Sequence, residues 1–374
     1  MMKLTFSGDL ALNNLFLDNL DIDNFSTDLN DLFINSDLNI VNLEAPIVNK
    51  LNPIDKIGTH LSTDDRICDF LSKINTDLVT LANNHILDHG VSGLENTISN
   101  LDKSKINYLG AGSDLYSASK AFIVDKNNIK VGILNIAENE FSNSYNNSPG
   151  ANPLDIISNS QQIINTKKNV DKLILVVHGG IELYSLPTPR FKKLLRYFAD
   201  IGADAIISHH THRYNGYEVY NDTPIFYGLG NFFFPNVNDN DYEWSLGVTV
   251  ELNIDSNKNI SFLTHPFLQN YKSSHQINIL KENALSDFRM RENKINQIIL
   301  NDSLLNQKFD LFFNQIKNNY NHFLQPYTSK IFHKLYSLGI IPSFLNNKFK
   351  KRLYLNIIRC EAHREMLLKL LREN

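Results

Sequence analysis

The stretch from Leu78 to Gly90, Leu-Val-Thr-Leu-Ala-Asn-Asn-His-Ile-Leu-Asp-His-Gly, constrains this chain more than any other. Its first five residues are apolar or β-branched and too few for an ordinary helix, so they read as a buried strand that stops at Asn83, Asn84 and His85. Beyond it, Val91, Leu94, Ile98 and Leu101 keep the three-to-four spacing of an amphipathic helix. Two amides, an imidazole and the Asp88 carboxylate therefore share the loop of a strand-loop-helix unit, where open α/β sheets bind ligands. A polar loop whose Asn residues make turns accounts for the same residues.

The pattern recurs along the chain. Leu4 to Ser7 is a short strand ending in Gly8-Asp9, and Leu38 to Leu43 ends in Glu44, Ala45 and Pro46. Lys172 to Val177 ends in His178, Gly179, Gly180, Ile181 and Glu182. Ala205 to Ser208 ends in His209, His210, Thr211 and His212, and Thr223 to Leu229 leads into Gly230-Asn231. Further short strands fall at 107–109, 121–124 and 129–136, and 245–254 with 259–264 reads as an antiparallel pair. Helical spacing covers 62–74, with Ser62 or Thr63 as N-cap, and also 156–170 and 191–201. The Asn-, Ser-, Pro- and Gly-rich loop 139–153 is expected to close over something. This alternation predicts an α/β fold with helices on both faces of a buried sheet.

The character changes near Ile277, which predicts a domain over 1–276 and a helical region over 277–374. The tail from Lys348 to Arg372 is basic, with apolar positions at Leu353, Ile357, Met366, Leu367 and Leu370. It reads as a helix packed on its own domain or, alternatively, as a membrane-surface or partner helix.

Composition narrows the function classes. A formal net charge of -4 lacks the basic footprint of a nucleic-acid partner. Cys68 and Cys360 have no metal or disulfide spacing, which fits a reducing compartment. The opening Met-Met-Lys-Leu-Thr-Phe is too short for a signal peptide, and no apolar run reaches membrane-spanning length. The expected location is cytoplasmic, with peripheral contact at the inner membrane face as an extension.

Asp9, Glu44, Asn84 with His85, His178, and His210 with His212 all follow apolar strands, whose ends in a parallel sheet lie along one edge. Carboxylate, amide and imidazole donors without thiolates suit one or two divalent ions such as Mn, Zn or Fe. An extended His-x-His points both rings to one side. Each group has a plainer reading: a turn at Gly8-Asp9, a solvated loop end at Glu44, a hydrogen-bonded core histidine at His178. A metal in this place would acidify a bound water and polarise a phosphoryl or carbonyl oxygen, with Glu44 the candidate bridge between two ions. His85 is placed to contact substrate or protonate a leaving oxygen. Asp88 either orients His85 or caps the following helix.

Gly8-Asp9, Asn42-Leu43-Glu44, Ala82-Asn83-Asn84-His85 with Asp88 and Gly90, His178 to Glu182, His209 to His212, and Tyr227-Gly-Leu-Gly-Asn-Phe232 together resemble the CapA family of capsule and poly-gamma-glutamate synthesis proteins. The resemblance covers roughly Leu4 to Leu268. It implies a fold similar to the calcineurin-like metallophosphoesterases, a four-layered α/β/β/α sandwich with a two-metal site. Asp9 resembles the first-strand metal aspartate, and Glu44 stands for the bridging aspartate. Asn84, His178, His210 and His212 resemble the remaining metal ligands, and His85 the histidine that contacts phosphate. Asn83 and His209 beside them, with Glu182 and Asn231 from motifs peculiar to this branch, are expected to contact substrate. The Asp-x-His usual on the first strand of the phosphoesterases is absent, since Leu10 and Ala11 follow Asp9.

The expectation is a metal-dependent, phosphoesterase-type hydrolase acting in surface-polymer biosynthesis. Its substrate would be a polymer precursor or a phosphorylated or glutamyl compound, and membrane-associated synthase subunits are candidate partners. Amide chemistry on a glutamate-containing polymer and a non-catalytic polymer-binding or scaffold role are the rival expectations.

Overall fold

The computed structural model describes residues 1–374 except 21–28, 146, 236–239, 326–328, 343–346, 361–362, 364–366, 368–370 and 372–374. Apolar strands buried on both faces need cover on both sides, and the chain supplies it with two sheets laid face to face between helical layers. An 8-stranded sheet runs, in spatial order, Ile277–Ile279, Ile260–Gln269, Leu246–Ile254, Met2–Leu10, Leu38–Leu43, Leu78–Thr80 and Asn107–Leu109, with Asn231–Phe233 also paired to Met2–Leu10. A 6-stranded sheet runs Tyr217–Tyr220, Thr223–Phe226, Ala205–His209, Lys172–His178, Ile129–Ala137 and Phe122–Lys126.

Alternation along the strands divides the core. From the strand Lys172–His178, Ile174 and Val176 face the other sheet and meet Leu4, Phe6, Ile40 and Leu78. Leu173, Leu175 and Val177 face outward onto Ile163, Leu195 and Phe198 of the helices Ile156–Lys167 and Pro189–Asp200. On the outer face of the first sheet, Val41, Leu43 and Val79 meet Phe70, Leu71, Leu94 and Leu101. The order helix, sheet, sheet, helix is the four-layered α/β/β/α arrangement.

Several boundaries differ from the sequence reading. The helix expected over 62–74 begins only at Arg66, because Thr63 pairs with Ile47 and Asp64 grips Arg66, so neither Ser62 nor Thr63 is its N-cap. Residues 277–279 form a strand instead of opening a helical region. The boundary expected at 276/277 also falls inside a compact unit, Met1–Leu305, followed by a second unit, Asn306–Asn374. The reason is packing. The helix Glu282–Leu300 buries Phe288 between the sheets and Ile295 and Ile299 against the second sheet. Buried Lys192 donates to the Ile299 carbonyl at the end of that helix and to Asp302 at 2.6 Å.

In the second unit, the helices Lys330–Ser337 and Lys348–Arg359 have no buried side chain among the described residues. Met366, Leu370 and Arg372 of the basic tail lie outside the described residues. Among the described residues no helix is long and apolar enough to cross a membrane.

Candidate metal centre

Two sheets, not one, build the site. Asp9, Glu44 and Asn84 leave the carboxyl ends of parallel strands in the first sheet, while His178, His210 and His212 leave strands of the second. At Asp9 the pairing with Leu38–Leu43 shifts register, and such a bulge re-aims the side chain beside it. Gly8 is needed at this point. A Cβ there would lie 1.9 Å from the Gly230 carbonyl oxygen, so only glycine lets the Gly230-Asn231 segment pair with Asp9.

His210 and His212 do not sit on an extended segment. Their φ values are +90° and +51°, so the chain kinks at both, and the rings converge by this kink and not by strand alternation.

The cluster is dense and buried. Asp9 accepts from Asn42 Nδ2 at 2.7 Å and from the His210 amide at 3.1 Å. His178 Nε2 lies 2.9 Å from Asn84 Oδ1 and 3.2 Å from His210 Nδ1. His212 Nδ1 lies 2.9 Å from Asn231 Oδ1 and 3.7 Å from Asp9 Oδ2, its ring held between Trp244 and Phe234. Glu44 is fully buried, and neither of its carboxylate oxygens has a hydrogen-bond partner. Three imidazole nitrogens, from His178, His85 and His212, stand 3.7 to 3.9 Å from Glu44 Oε1, too far for hydrogen bonds.

Electrostatics agree with this geometry. Burial pushes Asp9 up to about 7 against the opposing bonds from Asn42 and His210. Burial, then the neighbouring Asp9, drives Glu44 well above the usual carboxylate range. Burial takes His178 well below its ordinary value, and His210 and His212 down to about 3 and about 4. The set is thus neutral imidazoles at His178, His210 and His212 and reluctant carboxylates at Asp9 and Glu44. Asp9, Glu44 and His212 place ligand atoms within 4.8 Å of one another. An unpartnered buried carboxylate beside imidazoles and a second carboxylate is the donor set a divalent cation takes, and the residues fit such an ion.

His85 stands beside this gap on its own support. Its Nδ1 is 2.6 Å from Asp88 Oδ2, and Asp88 also accepts from the Leu61 amide at 2.7 Å and pairs with Lys56. Burial alone would raise Asp88, but these partners, His85 first, hold it below the usual carboxylate range. Asp88 therefore orients His85; the residue preceding the helix Gly90–Lys103 is His89, which makes no side-chain cap.

Other residues expected at substrate are placed differently. Asn83 donates to the Leu43 carbonyl and accepts from the His85 amide, so its side chain ties the loop together instead of facing the gap. His209 is buried behind Asp9, its Nδ1 3.7 Å from Asp9 Oδ1, and burial lowers it to about 3. Asn231 is buried and binds the Trp244 carbonyl and His212, which makes it a support for that ring. Glu182 is exposed at the rim with Glu140, whose carboxylate lies 3.9 Å from His210 Nε2. The loop 139–153 does close on something: Ser142 donates to the Asn84 carbonyl at 2.8 Å and accepts from the Leu87 amide.

Sequence reasoning noted Asn42 in its motif and Glu138 at a strand end without giving either a role, and it missed Lys56 and Trp244. Asn42 was detectable, since it lies two residues before Glu44 on one strand face. Lys56 was not, because the Pro- and Gly-containing loop around it has no period. Glu138 accepts from the Gly180 amide and is raised by burial to about 7, a carboxyl whose strand end carried no motif.

The PGA biosynthesis protein CapA of Bacillus subtilis (strain 168) is 34% identical over 209 residues, 54% of each chain. The capsule biosynthesis protein CapA of Bacillus anthracis is 30% identical over 210 residues, 54% of this chain and 51% of its own. The chain thus spans about half the length of these relatives. The 5'-nucleotidase of Candida albicans SC5314 is a looser likeness, with a TM-score of 0.41 and 13% identity over 84% of this chain and 57% of its own. Residues 3–236 match the model of the bacterial capsule synthesis protein PGA_cap, and the chain belongs to that family.

Proposed function

We propose that this protein is a divalent-metal-dependent phosphoesterase-type hydrolase that serves biosynthesis of a capsule, poly-gamma-glutamate or similar surface polymer alongside its synthase machinery. The observation that carries the reading is Glu44, a buried carboxylate with no hydrogen-bond partner facing three imidazoles. Asp9, Glu44, Asn84, His178, His210 and His212 would hold one or two ions such as Mn, Zn or Fe. A bound ion would polarise the phosphoryl oxygen and render a water acidic enough to attack near neutral pH.

The chain's own groups supply orientation and proton transfer. Asp88 fixes His85 Nδ1, leaving Nε2 toward Glu44 at 3.9 Å and free to hold or release a proton at the leaving oxygen. The Lys56 ammonium balances Asp88, so the carboxylate stays ionised while it steadies an imidazolium. Glu140 and Glu182 at the rim oppose an uncompensated anion, so a phosphorylated substrate enters against them only when cations offset their charge.

The test uses the full chain reconstituted with Mn or Zn and assayed on chromogenic phosphomonoesters, phosphodiesters and a γ-glutamyl anilide, beside His85→Ala. Phosphoester turnover that falls about 100- to 10,000-fold in the variant, with metal content retained, is the expected result. Turnover of the anilide alone reassigns the chemistry to amide cleavage. Metal-loaded protein inert on every substrate overturns the hydrolase reading in favour of a polymer-binding role.

A further inference from the structure

Charge is divided unevenly along this chain. Residues 306–374 carry twelve Lys and Arg against four Asp and Glu, a net charge of +8, whereas residues 1–305 carry −12. Such asymmetry marks a segment that meets an anionic partner.

The elements of the basic unit are amphipathic. At 100° per residue, the helix Lys330–Ser337 sets Ile331, Phe332, Leu335 and Tyr336 along one side and Lys330, Lys334 and Ser337 along the other. The helix Lys348–Arg359 opens Lys-Phe-Lys-Lys-Arg and continues with Leu353, Leu355, Ile357 and Ile358. Several apolar side chains of this unit stand exposed. Ile331 is 72% exposed, Phe349 71%, Ile340 65% and Ile358 56%. The helix Glu282–Leu300 of the first unit, by contrast, buries Phe288, Ile295 and Ile299.

We propose that this C-terminal unit docks on an anionic lipid surface. The reading does not depend on the hydrolase reading above. Two features decide between occupants. A soluble polyanion would be satisfied by the Lys and Arg residues alone and would leave the exposed Ile and Phe side chains in water. A second copy joined through the same unit would cover those side chains but would set +8 against +8. A membrane rich in acidic headgroups accepts both, with basic side chains at the headgroups and apolar ones at the acyl boundary. The first unit, at −12, is repelled by such a surface, so the attraction belongs to the second.

The experiment is co-sedimentation of the full-length protein with vesicles of phosphatidylcholine alone or phosphatidylcholine mixed with phosphatidylglycerol. Two variants accompany it, the charge reversal Lys348→Glu/Lys351→Glu/Arg352→Glu and the apolar loss Phe349→Ser/Ile358→Ser. All five positions are surface positions, and unchanged thermal unfolding of the first unit confirms intact folding. Binding to the phosphatidylglycerol vesicles, weakened by salt and reduced about tenfold or more in each variant, is the expected result. Equal affinity for both vesicle types, or none for either, overturns the proposal. Displacement by soluble polyglutamate, with full binding kept in the apolar variant, replaces it with a polyanion site. Concentration-dependent dimers that the apolar variant abolishes replace it with self-association.

Discussion

Glu44 is a carboxylate held where the folded chain alone gives it no hydrogen bond. Glu44→Gln should therefore leave the chelated protein as stable as the parent or raise it by up to about 1 kcal/mol, since a buried unpaired acid is removed. The same change should abolish the stabilisation that saturating Mn or Zn confers, about 2.7 kcal/mol at a hundredfold excess over Kd. Thermal unfolding with and without chelator reads both. Asp88 is the opposite case, an acid stabilised by its partners. Asp88→Asn strands the nearly buried Lys56 ammonium and should cost about 3 kcal/mol by urea unfolding, most of it recovered by adding Lys56→Met. Because Asp88 is held below the usual carboxylate range, its contribution is complete above the unfolded value near ~3.9 and is lost as pH falls through the folded one. The acid limb of the stability profile should accordingly flatten in Asp88→Asn. At this scale the sequence was informative wherever a polar residue directly followed an apolar strand, as at Asp9, Glu44, Asn84 and His178. It was silent at Lys56, whose partner Asp88 lies across a loop without periodicity, and misleading at Asn83 and His209. Those two share the motif but turn into the protein.

Elements were legible in proportion to their length. Met2–Leu10, Leu38–Leu43 and Lys172–His178 announce themselves by apolar runs, and Gly90–Lys103 by its helical spacing. Tyr217–Tyr220, Asn231–Phe233 and Ile277–Ile279 do not, because three or four residues become a strand only through the neighbour they pair with. The kink at His210 and His212 is of the same kind, a backbone state imposed by surroundings and not by the residue type. Asn231–Phe233 also carries a prediction. Gly8→Ala would drive a Cβ against the Gly230 carbonyl, displace that strand and release Asn231 from His212. A loss of about 3 kcal/mol in chemical unfolding, together with weaker metal retention by elemental analysis, is expected.

For the whole molecule, the two compact units differ from the division at 276/277 that hydrophobic patterning suggested. Periodicity reports that 282–300 is helical, but it does not report which core the helix completes. A chain ending at Leu305 should unfold cooperatively. One ending at Gln276 should not, since losing Phe288, Ile295 and Ile299 forfeits about 6 kcal/mol of apolar burial, a large share of a typical domain's stability. Differential scanning calorimetry of the two truncations decides the point.

The split parentage of the metal centre has a mechanical consequence. Asp9, Glu44 and Asn84 hang from one sheet, and His178, His210 and His212 from the other. If both sets grip one ion, it would act as a rivet through the sandwich, and any breathing motion that slides one sheet over the other would first have to strip its coordination. Amide exchange at the Leu10, Leu43, His178 and His209 strand ends should then slow in concert on metal uptake, while the far ends of the same strands keep their own rhythm.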